Sequence, residues 1–92
     1  MEDLKKLRDQ IDKIDRKIVI AIKERFDLVQ KIAEVKNKNS LPVEDNKRVS
    51  EVVNGRLALA KEFNLKPELI EKIFREIIDA CTNYQKIILT NS

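Results

Sequence analysis

Four polar residues stand where helical spacing assigns the interior, and all four have the chemistry to serve one anion. Arg25 falls in register between Ile22 and the Leu28/Val29 pair, and Lys36 follows Ile32 by four. Eleven residues separate Arg25 from Lys36. On one helix they point within about 20° of each other, roughly 16 Å apart along the axis. Two long side chains bending toward each other would grip a small anion between them. Gln85 stands four after Cys81 and three before Ile88, on the apolar stripe of the last amphipathic segment. Arg48 lies in the first turn after a helix break, where free backbone N–H groups attract carboxylates. Each residue also has a plain structural explanation. An Arg or Lys on a stripe carries its charged head to solvent, Lys36 marks a fraying helix end, and a Gln bonds a backbone carbonyl. Taken singly, the plain explanation is the better one. Four such residues on three helices are harder to dismiss, because unpaired buried charge is expensive. The residues by themselves argue for an anion pocket between helices and nothing sharper.

Other chemistries are excluded by residues the chain lacks. It has no His, which removes imidazole acid–base catalysis and triads that depend on it. Its single Cys, Cys81, can form neither an intrachain disulfide nor a zinc site, so no metal is expected. The formal charge of +3 is a mild basic bias, compatible with an anionic ligand. Lysines and acids are interspersed along the chain and Trp is absent, which is unlike the clustered basic face of a nucleic-acid binder. Met1-Glu2-Asp3-Leu4 has no apolar core of the signal-peptide kind, and no segment reaches membrane-spanning length. A soluble cytoplasmic protein is the expectation.

The elements that must hold these residues are helices. Leu7, Ile11, Ile14, Ile18, Ala21, Ile22, Leu28, Val29, Ile32 and Val35 recur at spacings of three and four, which predicts one helix over about 3–38. Asn37-Lys38-Asn39-Ser40-Leu41-Pro42 breaks it, and Asp45 is placed to cap a second helix over about 45–62. Gly55 and several valines weaken that second helix. Lys66-Pro67-Glu68 opens a third, with Pro at the favoured first position and a stripe of Ile70, Ile73, Phe74, Ile77, Ile78, Cys81 and Ile88. The fold class is all-α, and residues 1–92 form one domain. A 36-residue first helix would be roughly 54 Å long, more than the remaining chain can cover. It therefore expects a partner helix, most simply from a second copy. A monomer of 92 residues buries only about 60–65% of its unfolded surface, so a shared core would help.

At this point the residues resemble a family. Leu7-Arg8-Asp9-Gln10-Ile11-Asp12-Lys13-Ile14-Asp15, Glu24-Arg25, Lys36, Leu41-Pro42-Val43, Asp45, Arg48 and Phe74-Arg75-Glu76-Ile77-Ile78 look like the all-helical class of chorismate mutase. The resemblance runs from about residue 4 to residue 88. It implies an intertwined homodimer of three-helix chains whose long first helices are shared. It also implies that Arg8 and Arg25 clasp the carboxylates of chorismate, with Arg8 supplied across the subunit interface. Geometry agrees, since 17 residues of helix put those two about 25 Å apart, too far to share a ligand within a chain. By the same resemblance, Lys36 and Gln85 donate to the ether oxygen, Arg48 supports the pocket, and the backbone at Asp45 lies near the substrate hydroxyl. Lys36, Gln85 and Arg25 are then the catalytic residues. Chorismate to prephenate, a step toward phenylalanine and tyrosine, is an intramolecular rearrangement that needs no cofactor, nucleophile or general base. It needs a held conformer and donors for charge growing on an ether oxygen. A neutral Gln keeps its donor at any ordinary pH, so turnover is expected to vary little between about pH 5 and 9.

Two positions depart from the pattern. Cys81 stands where a small Ser often appears, and it reads as a small packing residue beside the substrate rather than a reactive thiol. Val49 stands where many mutases carry a Glu that receives the substrate hydroxyl. The missing Glu implies weaker binding, a substitute from Glu44 or Glu51, or the chemistry of the related isochorismate pyruvate-lyase. Outside catalysis, the alternative is a helical dimerisation or regulatory module with a dead pocket. The retained Arg8, Arg25, Lys36, Arg48 and Gln85 argue against it, because a pure dimeriser would gain from apolar residues at Arg25 and Gln85.

Overall fold

The structure, a computed structural model, describes residues 1–90. It contains α1 (Glu2–Lys38), α2 (Asn46–Glu62) and α3 (Pro67–Thr90), with no strand among the described residues. The all-α class and the three helices agree with the sequence reading to within a residue or two at each end.

Local chemistry accounts for the boundaries. Nothing within α1 interrupts it, and Glu2 and Asp3 in its first turn and Lys36 and Lys38 in its last complement the helix dipole. It ends where Ser40 turns left-handed at φ 55°. There Ser40 N–H donates to Asn37 O at 3.2 Å and Leu41 N–H donates to Lys36 O at 2.8 Å, a Schellman closure. Asp45 starts α2 by accepting from Arg48 N–H at 3.0 Å. The far end of α2 repeats the closure around Asn64 at φ 57°, with Leu65 N–H on Ala60 O at 2.8 Å. Gly55 does not break α2, because Val52, Val53 and Ala60 on either side of it are buried.

Helix α3 packs on α1 along one side and on α2 along the other, while α1 and α2 make no close backbone approach. The core is small. Val52, Val53 and Ile78 form its centre, with Val49 and Leu57 against them. Val29, Ala33 and Cys81 are buried as well. An edge-on contact of Phe26 with Tyr84, 5.0 Å between centroids, ties α1 to α3.

Helix α1 runs the length of a molecule whose extents are 56 × 28 × 15 Å. The radius of gyration is 16.6 Å, against about 12 Å for a compact domain of this length. The accessible surface is 7754 Å², against about 5,500 Å² for a compact monomer of this mass. The first half of α1 contributes to the difference, since every residue from 1 to 20 is exposed. Leu7, Ile11, Ile14 and Ile18 retain 50–58% of their surface. The periodicity assigns them to an interior, but the single chain has no element long enough to cover them.

Candidate active site

The spacing between α1 and α2 leaves a cavity of about 520 Å³ over α3, within the range of small-molecule sites. Arg25 and Lys36 reach it from α1, Asp45 and Arg48 from the start of α2, and Cys81 and Gln85 from α3. Leu28, Val29, Ile32, Val52 and Ile78 supply apolar walls. Six of the seven residues singled out from sequence therefore line one cavity. Arg8 does not; it stays exposed on the uncovered half of α1.

Within the cavity the polar groups hold one another. Lys36 Nζ donates to Val43 O at 2.7 Å and to Gln85 Oε1 at 3.2 Å. An ammonium has three N–H donors, so one is left for a ligand. Because lysine can only donate, Gln85 presents its oxygen to it and leaves its amide N–H₂ as a second free donor beside the first. Gln85 is 8% exposed, the one buried polar residue among those described. Its position on the α3 stripe is explained by Lys36 and the cavity rather than by a backbone carbonyl. Arg25 Nη1 donates to Cys81 Sγ at 2.8 Å. A thiol is a weak acceptor and leaves the guanidinium charge unneutralised. Buried Cys81 thus packs beneath Arg25 and borders the cavity.

At the rim, Asp45 uses a carboxylate oxygen as the α2 cap, and Arg48 Nη1 lies 3.5 Å from Glu51 Oε2. Val49 presents only methyl groups to the cavity. Neither acid considered as a replacement for the missing Glu lines it. Glu51 faces Arg48, and Glu44 Oε1 accepts from Lys86 Nζ at 2.8 Å. The Lys86 hydrogen bond, and then its charge, hold the Glu44 carboxyl below its ordinary range. A carboxyl lowered in the folded state favours folding above its unfolded value and loses that contribution as pH falls through the folded one. The Glu44 carboxyl is therefore ionised at neutral pH.

One cation escaped the sequence reading. Arg56 lines the same cavity, with its guanidinium 5.6 Å from the centre of the Phe74 ring. The signal was present, since Arg56 follows Val52 by four and Val53 by three on the stripe of α2. With Arg56, the lining carries four cations against the single carboxylate of Asp45. The arrangement can bind a small polyanion and present two adjacent hydrogen-bond donors to one of its oxygens. Among the described residues, no group of His, Cys, Asp and Glu is placed to hold a metal ion. No described helix is long and apolar enough to cross a membrane.

The family model of chorismate mutase type II matches residues 7–86, nearly the whole chain and every cavity residue. The chain belongs to that family. A chorismate mutase of Methanocaldococcus jannaschii is 35% identical over 86 residues, which cover 94% of this chain and 87% of the archaeal one. The bifunctional chorismate mutase/prephenate dehydratase of Aquifex aeolicus is 40% identical over 91 residues, covering 96% of this chain. The chain spans only 25% of that relative's length. It spans 21% of the T-protein of Haemophilus influenzae, to which it is 31% identical over 78 residues.

Proposed function

We propose that this chain is a chorismate mutase, rearranging chorismate to prephenate on the route to phenylalanine and tyrosine in the cytoplasm. The observation that carries the reading is the pair of free donors, one on Lys36 and one on Gln85, held side by side in a cationic cavity. Chorismate is a dianion whose ether C–O bond breaks as a C–C bond forms within the same molecule. The cations hold it in the compact reactive conformer. Charge growing on the ether oxygen meets Lys36 and Gln85, donors already oriented before the reaction and therefore not reorganised during it. Arg25 takes a carboxylate, and the backbone at Asp45 and the side chain of Arg48 close the other side.

We further propose that the working unit is an intertwined homodimer in which Arg8 of one copy completes the cavity of the other. The exposed stripe on α1 and the roughly 2,000 Å² of surface above the monomer expectation support it, since obligate dimers cover areas of that order. Arg8 has no route to the cavity of its own chain, because α1 is one continuous helix and about 25 Å of it separates Arg8 from Arg25. Sedimentation at neutral pH should return twice the chain mass, and a single-chain mass would remove the dimer from the reading.

The test of activity is loss of chorismate absorbance with purified protein and no added metal, followed by product identification. Prephenate is the expected product. Val49 favours one second reading, an isochorismate pyruvate-lyase, because it replaces the Glu expected at the hydroxyl and the one lining acid, Asp45, is engaged as the α2 cap. Salicylate and pyruvate from isochorismate, with chorismate untouched, would select the lyase. Inertness toward both would leave a helical binding module.

A further inference from the structure

We infer that the ion pair between Glu44 and Lys86 is a latch that positions the substrate-binding side of the cavity. The inference rests on the mutase reading for its kinetic consequences, but not for its structural ones. Its ground is where the two ends attach. Glu44 immediately precedes Asp45, which caps α2 and borders the cavity, and Lys86 immediately follows Gln85. The pair therefore joins the neighbours of two cavity residues, one on each wall, at 2.8 Å.

The fold explains why such a tie is needed. Helices α1 and α2 make no close backbone approach, so the first turn of α2 takes its place from α3 packing and from the connecting loop, residues 39–45. Lys36 ties that loop back to α1 through Val43 O. Among the described residues, Glu44 to Lys86 is the one polar tie from the loop to α3. Its ends are exposed, 50% for the Lys86 side chain and 64% for Glu44. Exposed ion pairs contribute little to global stability. Any consequence of breaking this one belongs to local geometry, and it falls on Asp45 and Arg48 more than on Lys36 and Gln85, which hold each other. Binding should suffer more than the chemical step.

A second explanation has to be separated from the first. Lys86 is a cation near an anion site, so it could act by attraction alone. The two accounts differ in sign. If Lys86 acts by attraction, Glu44→Gln unmasks it and lowers KM. If the pair is a latch, Glu44→Gln and Lys86→Gln both raise KM, by about threefold to tenfold, with kcat changed less than about twofold, as expected when bound groups are misplaced. The double variant Glu44→Lys with Lys86→Glu rebuilds the pair and should return KM to near the unmodified value. Hydrogen exchange gives a readout independent of catalysis. The backbone N–H groups of Arg48 and Val49, both bonded to Asp45, should exchange faster in both single variants and return toward the original rate in the charge swap. Opposite KM shifts in the two single variants, or exchange at Arg48 and Val49 unaltered by either, would overturn the latch. Absence of turnover in the unmodified protein would instead overturn the mutase reading, leaving the exchange experiment to decide the latch.

Discussion

The two halves of α1 carry the same apolar spacing on one uninterrupted helix and end in different surroundings. In the second half Val29 and Ala33 are buried at 6% and 0% exposure, and Arg25 and Lys36 look into a cavity. In the first half Leu7, Ile11, Ile14 and Ile18 remain at least half exposed, and Arg8 lies among them. Periodicity is a statement about what a helix would bury; it is silent on what is available to bury it. Helix α3, at 24 residues, reaches roughly 36 Å and serves only part of a helix about 55 Å long. The half that is served carries polar residues on its apolar face, whereas the other keeps a nearly unbroken stripe that no element of its own chain covers.

Breaking the served half should have the largest effect. Lys36→Ala and Gln85→Ala are each expected to lower turnover by at least about 10²-fold, the loss typical of one oxyanion donor. Since each orients the other, the double variant should cost less than the product of the two, measurable as a double-mutant cycle on kcat. Near-normal turnover in both single variants would detach the cavity from the reaction.

The unserved half is tested by asking which copy it belongs to. Arg8→Ala alone should reduce kcat/KM by about 10²-fold, as loss of a buried charged contact does. Mixing and refolding Arg8→Ala chains with Lys36→Ala chains should restore about a quarter of the original activity. Half the dimers are then mixed, and each has one site with both residues intact. No recovery on mixing would mean that Arg8 serves its own chain or none.

Smaller effects sharpen the contrast in stability. Arg25→Leu should abolish turnover and raise Tm by about 4–8 °C. It removes a half-buried cation whose hydrogen-bond partner is a thiol, a gain of about 1 kcal/mol. Loss of the fold would instead assign Arg25 a structural role. Ser40→Gly should raise Tm by about 2–4 °C. It relieves roughly 1–2 kcal/mol of left-handed strain, less the ~0.5–1 kcal/mol cost of ordering a glycine.

Much of the site was legible because polar residues in apolar register are conspicuous in a helical protein. Arg25, Lys36, Arg48 and Gln85 stood out on spacing, and Asp45 as a cap. The same rule applied to α2 would have added Arg56, which hides among valines and an alanine in a helix weakened by Gly55. The bond of Lys36 to Gln85 joins residues 49 apart, and the link of Lys86 to Glu44 joins residues 42 apart. No local pattern encodes either.

By itself the sequence determined the helices, their ends and the faces they offer for burial, because 3.6-residue periodicity, capping by Asp45 and the positions of Pro42 and Pro67 act over a few residues. Tertiary structure alone decided which stripe is covered, that α1 and α2 stand apart over α3, and that Lys36 and Gln85 meet at one cavity, each with a donor left over. Those outcomes depend on helix lengths and on contacts between residues distant in the chain, where packing and hydrogen bonding choose among arrangements that local preference leaves equal.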